Sequence, residues 1–159
     1  MTTIIDGSAG ITYPNSTVQA SAGVVLQVVN ATYSTSVSNA TSTVVDTGLT
    51  ATITPKFATS KILVLVSQNG CGKQSSNTNI RIYLYRGASS LYTVEDGAAF
   101  TGDSSANYIG SISTSYLDSP ATTSATTYKT GFSSSGNTGT VYLQNANSTS
   151  TITLMEIAG

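Results

Sequence analysis

Residues 79–86 read Asn79-Ile80-Arg81-Ile82-Tyr83-Leu84-Tyr85-Arg86, and their alternation decides the fold class. Side chains two apart on an extended chain share a face. Ile80, Ile82 and Leu84 therefore lie on one side, with Arg81, Tyr83 and Tyr85 on the other. Such a strand sets one face on a core and the other on solvent or a partner. The stretch 61–66 differs, because Ile62, Val64 and Val66 alternate with Leu63 and Leu65 and both faces are apolar. It requires cover on both sides. A two-layer sandwich supplies one cover, and a neighbouring subunit is the expected source of the other, with a local loop or a tightly curved sheet as the alternative. The run Val24-Val25-Leu26 with Val28-Val29 poses the same requirement.

Outward from these two stretches the same pattern repeats. Val, Ile, Thr and Tyr gather in short runs separated by Gly, Asn, Ser and Asp, the signature of strands and turns. Strands are predicted over 23–33, 42–54, 61–68, 79–86, 90–95, 107–116, 125–132, 139–145 and 150–157, with a break in the second at Thr47-Gly48. This spacing predicts an all-β chain folded as an antiparallel, jelly-roll-like β-sandwich. Residues 1–22 alternate very short apolar pieces (Ile4-Ile5, Ile11 with Tyr13) with turn residues (Asp6-Gly7, Gly10, Pro14-Asn15) and cannot form a core alone. Two units are expected: 1–22, an N-terminal attachment or trimer-winding segment, and 23–159, a β-sandwich head.

Composition narrows the function. Among 159 residues there are 25 Ser and 27 Thr but only 6 basic and 7 acidic side chains, with no His, no Trp and one Cys. Ser-His-Asp and Cys-His catalysis, His-based metal sites and an intrachain disulfide are excluded by inventory. Four Lys and two Arg leave no basic stripe for phosphates, so neither nucleic acid nor a membrane surface is an expected partner. No apolar run approaches the length of a transmembrane helix, and the first ten residues, MTTIIDGSAG, lack the charged and apolar regions of a signal peptide. Glu95-Asp96 and Asp103 are the only carboxylates that suggest glycoside cleavage or calcium. Neighbouring side chains on a strand point apart, so no enzyme, metal or cofactor is expected. Four Asn-x-Ser/Thr sequons are the number expected by chance in so hydroxyl-rich a chain, and Cys71 between two glycines reads as a tolerated small residue.

The stretch Asp6-Gly7-Ser8-Ala9-Gly10-Ile11-Thr12-Tyr13-Pro14-Asn15-Ser16-Thr17-Val18-Gln19, followed by Val24 to Val29, resembles the opening of virion fibre and receptor-binding proteins of tailed bacteriophages. There a DG-x-x-G-[IV]-T-[FY]-P-D-G-T-x-Q module precedes a β-rich head. Asp46-Thr47-Gly48-Leu49, Thr52-Ile53-Thr54-Pro55, Ser60-Lys61-Ile62-Leu63-Val64 and Thr151-Ile152-Thr153-Leu154-Met155-Glu156-Ile157 are similar to the heads that accompany it. Here Asn15-Ser16 stands where the module has Asp-Gly. The resemblance implies a homotrimeric fibre or knob that attaches a virion to a host surface, held through residues 1–22 by another virion protein. It also implies manufacture in the host cytoplasm without a signal peptide. The alternative is a capsid-decorating or accessory virion protein without a receptor.

If successive strands run antiparallel, their loops alternate between two ends. With the N-terminal end proximal, loops 34–41, 69–78, 96–106 and 133–138 are distal, and 55–60, 87–89, 117–124 and 146–149 are proximal. Long loops on one end of a rigid scaffold are the usual place for binding. Candidate receptor contacts are Lys73, Gln74, Asn77, Asn79, Asp96, Asp103, Asn107 and Tyr108, whose amides, carboxylates and ring suit a host-surface glycan. Candidate trimer contacts are Leu63, Leu65, Tyr83, Tyr85, Tyr128 and Tyr142, where large amphipathic side chains fall on apparently outward faces.

Overall fold

The computed structural model describes residues 4–6, 10–12, 18–19, 23–102, 107–136 and 139–159. Three N-terminal strands, β1 (Ile4–Asp6), β2 (Gly10–Thr12) and β3 (Val18–Gln19), pair antiparallel in the order β1-β2-β3. The remaining strands are β4 (Val25–Tyr33), β5 (Val37–Asn39), β6 (Val45–Ile53), β7 (Lys61–Lys73), β8 (Ile80–Arg86), β9 (Ser89–Ala98), β10 (Asn107–Asp118), β11 (Thr126–Ser134), β12 (Val141–Leu143) and β13 (Ser150–Ile157). A 3-10 turn, Asn145–Asn147, separates the last two.

These strands form two antiparallel sheets. In sheet I, β7 pairs with β10 along one edge and with β13 and then β12 along the other, while β4 lies outside β13 and β5 outside β12. Sheet II has the order β6-β11-β8-β9. Both β12 and β13 are antiparallel to β7, so they run in one direction as halves of an interrupted strand. β4 and β5 are the corresponding halves beside them. Counting each interrupted strand once leaves eight strands in the jelly-roll arrangement, and the expected all-β sandwich is the observed fold.

Burial follows the alternation. Ile62, Val64 and Val66 of β7 with Ile152 and Leu154 of β13 meet Leu49, Ala51, Ile53, Leu84 and Tyr128 of sheet II. A second cluster packs Cys71, Val141 and Leu143 against Ile80, Ile82 and Phe132. Each fully buried aliphatic side chain contributes about 1.5–3 kcal/mol. Between the clusters runs a belt of buried polar groups. Thr47 and Thr130 share a hydroxyl contact of 2.6 Å, Thr130 donates to Gln68 Oε1 at 3.0 Å, and Gln68 Nε2 donates to Ser150 Oγ at 2.9 Å. Gln144 Nε2 reaches the same Ser150 oxygen at 3.0 Å. The belt sits where β12 gives way to β13. There Gly70 has a φ of +63°, and a Cβ on it would lie 2.5 Å from the Asn145 nitrogen, so the turn crosses β7 only because this residue lacks a side chain.

Several sequence expectations change. The loop expected over 69–78 is strand as far as Lys73, because β10 and β12 pair both edges of this part of β7. Cys71 is therefore buried in a strand. The loop 34–41 contains β5, and 146–149 lies within sheet I rather than at its proximal end. The break expected at Thr47-Gly48 is a bulge within β6, with Gly48 at φ +84° and a Cβ position 2.3 Å from the Tyr33 ring.

Candidate functional site

The strand directions collect four connections at one end, described over 40–44, 74–79, 99–102 and 135–136 with 139–140. Gly23 enters at the other end, where it donates to Ala158 O at 3.0 Å and Ala158 N donates to Val24 O at 2.9 Å. We call the first end the tip and the second the foot.

The tip loops are braced against one another. Asn77 N donates to Thr101 O (3.0 Å), Gln74 N to Thr140 O (2.9 Å), Ser134 N to Thr41 O (2.9 Å) and Ser135 N to Asn79 O (3.0 Å). Lys73 is 1% exposed at the end of β7, and its Nζ donates to Ser75 O at 2.8 Å and to Thr101 O at 3.2 Å. Its ammonium is a clamp on two loops and not an outward contact, which corrects the role read from sequence. Gln74 is exposed, with Oε1 accepting the Tyr142 hydroxyl at 2.5 Å. Asn77 is exposed in a left-handed conformation, φ 54°. Asn79 is half-buried and donates Nδ2 to Asp96 O at 3.0 Å.

The other candidates spread further. Asp96 lies on β9, 2.5 Å from Arg81 Nε in a charge contact on the outer face of sheet II. Asn107 and Tyr108 open β10 opposite Lys73 and Gly72, and their side chains lie outside the described residues, as does Asp103. The structure thus brings Lys73, Gln74, Asn77 and Asn79 together at the tip and turns Asp96 down one side. It adds Phe100, which is 59% exposed on the loop whose Thr101 carbonyl the clamp holds. The signal in the sequence was an aromatic residue in a Gly/Asp/Ser loop with no alternating partner to bury it.

The six candidate interface residues do not form one surface. Leu63, Leu65 and Tyr142 lie on the outer face of sheet I, Tyr83 and Tyr85 on the opposite outer face, and Lys129 Nζ stands 5.9 Å over the Tyr85 ring. Tyr128 is fully buried, so its outward placement is corrected. β11 pairs with β8 in unbroken register from Tyr128 to Ser134, so Tyr128 alternates onto the same inner face as Thr130 and Phe132.

Tyr128 belongs instead to a polar group joining the sheets at the foot. Its hydroxyl donates to Asp118 Oδ2 at 2.6 Å, and Arg86 Nη1 donates to the two Asp118 oxygens at 3.0 and 2.8 Å. Burial, then the hydrogen bond and charge of Asp118, push the Tyr128 hydroxyl well above the usual tyrosine range, with Arg86 opposing. Nearby Glu156 is fully buried. Its Oε1 accepts Lys56 N at 2.7 Å and its Oε2 accepts Gln27 Nε2 at 2.5 Å. Burial pulls this carboxyl upward, but the donors outweigh it and hold it below its ordinary 4.5.

Cys71 is pushed up to about 12 by burial, which keeps it a thiol with little nucleophilic character at neutral pH. Among the described residues no three His, Cys, Asp or Glu side chains gather as a metal site, and no helix is long and apolar enough to cross a membrane. Glu95 Oε1 accepts the Asp96 and Gly97 N–H groups at 3.2 and 3.1 Å, where the pairing of β9 with β8 is irregular.

No protein-family model and no curated protein matches the chain. Among solved structures, the infectious bursal disease virus VP2 subviral particle aligns with 84% of this chain at 12% sequence identity and a TM-score of 0.44. The alignment covers 38% of that protein, so the chain spans well under half of its length.

Proposed function

We propose that the chain is a non-enzymatic structural protein of a tailed-bacteriophage virion, a homotrimeric fibre or knob that attaches the particle to its host. In this reading residues 1–22 hold the head on another virion protein, and the tip faces a host-surface glycan. The observation that carries it is the cross-braced tip. Buried Lys73 fixes two loops so that exposed Gln74, Asn77 and Phe100 are presented from a rigid jelly roll, at the end opposite Gly23. Fixed loops bind without first losing their own conformational freedom. Amides offer paired donors and acceptors to sugar hydroxyls, and an aromatic face covers the apolar side of a ring. The N-terminal module quoted above supports the virion setting.

Gold-labelled antibody on intact particles is the first test. Label at the tail tip is the expected result, whereas label over the capsid favours the decorating role. The second is competition: the purified head should block adsorption, and Phe100→Ser should lose that effect at an unchanged melting temperature. Equal blocking by both proteins would remove the tip from the mechanism.

A further inference from the structure

The outer face of sheet I divides into an apolar half and a hydroxyl half, and its register shows the boundary. Met155 pairs with both Val28 and Leu63, and Leu63 pairs with Leu117, so Val28, Met155, Leu63 and Leu117 form one row across four strands. The next row toward the tip is Asn30, Thr153, Leu65 and Ser115, and the next is Thr32, Thr151, Ser67 and Ser113. Toward the foot, Ile157 stands between Val25 and Lys61. Val28 is 56% and Leu117 49% exposed, and Val24, Val25 and Leu65 are exposed as well.

We propose that the foot half of this face is where copies of the chain meet. This rests on the self-assembling reading above and names its surface. Charge selects the occupant. Among the rows just named, Lys61 at the lower rim is the only charged side chain, so the centres of identical faces meet without like-charge repulsion. The outer face of sheet II instead carries the Lys129–Asp46 and Arg81–Asp96 pairs. Extent selects more than a bare patch. Four strands at about 4.8 Å and five residues at about 3.3 Å give about 300 Å², against about 800 Å² per partner in a stable interface. The apolar rows therefore form the dry centre, and the uncharged Asn, Thr and Ser rows above them form the rim. Gly23 pairs with Ala158 at the edge of this same patch, so the chain that precedes it joins the head beside the proposed face.

The test uses the full chain. Light scattering after size exclusion should give a multiple of 16.2 kDa for the native protein. Val28→Lys with Leu117→Lys should give the single-chain mass with native circular dichroism, while Thr93→Lys on sheet II keeps the native mass. The milder Val28→Ser with Leu117→Ser should raise the half-assembly concentration at least about tenfold, which covers the case of a lysine pair that misfolds. A native assembly that survives both pairs, or that Thr93→Lys disrupts instead, overturns the proposed face and leaves self-assembly standing. A single-chain mass for the native protein overturns both.

Discussion

Tyr128→Phe removes one oxygen from the interior and leaves the ring in place, so it isolates one of the hydrogen bonds that join the two sheets at the foot. The lost contact is the 2.6 Å bond to Asp118, which also receives Arg86. A hydrogen bond to a charged group is worth about 1.5–3 kcal/mol, and about 2 kcal/mol is expected here at pH 7. In a chain of this size that lowers Tm by about 4–8 °C. The pH dependence carries a sign. The folded-state pKa of Tyr128 is raised, so its contribution is complete below the unfolded value of 10.0 and is lost as pH rises above it. The stability gap between native protein and variant should therefore shrink by about 1.4 kcal/mol per pH unit above that point. Paired urea titrations at pH 7 and pH 11, followed by circular dichroism, measure both quantities. Equal midpoints at pH 7, or a gap that persists undiminished at pH 11, would refute the reasoning.

Lys73→Met should cost about 2–3 kcal/mol by removing a charged donor from two half-buried carbonyls, and hydrogen exchange should quicken first in 74–79 and 99–102. Glu156 is held below its ordinary 4.5, so its contribution is present above that pH and is lost as pH falls further; Glu156→Gln should flatten this acid limb in urea titrations between pH 3 and pH 6. Gly48→Ala should destabilise by about 2 kcal/mol or more, from left-handed strain of about 1–2 kcal/mol together with overpacking against the Tyr33 ring of about 1–3 kcal/mol. Pairing it with Tyr33→Ala should recover the overpacking part, and no recovery in Tm would disprove the contact.

The strands were legible because their faces differ in polarity. Ile80, Ile82 and Leu84 alternate with polar neighbours and are all fully buried, and Ile62, Val64 and Val66 point inward while Leu63 and Leu65 point out. Periodicity reports local exposure, so it failed where remote chain decided the outcome. Residues 69–73 read as loop because Asn69, Gly70 and Gly72 have weak strand preference, yet β10 and β12 impose strand on them. Tyr128 was assigned outward because its inward neighbours Thr126 and Thr130 are as polar as the outward Thr127 and Lys129, which leaves β11 little contrast between its faces. The clamp role of Lys73 was equally hidden, since it depends on carbonyls 2 and 28 residues away. Alternation also could not show that the outward apolar residues of four strands share a row, because register is a property of pairs.

The polar belt beside the interrupted strand separates a ten-residue apolar cluster at the foot from a six-residue cluster beneath the tip. A boundary of this kind makes cooperativity uneven, because loosening the smaller cluster does not require the larger one to open. Hydrogen exchange should accordingly resolve two classes of protected amide, with β12 and the upper part of β7 exchanging before β13 and the lower part. Substitutions at the tip are then absorbed above the belt, and the half that bears the proposed assembly face keeps its own stability.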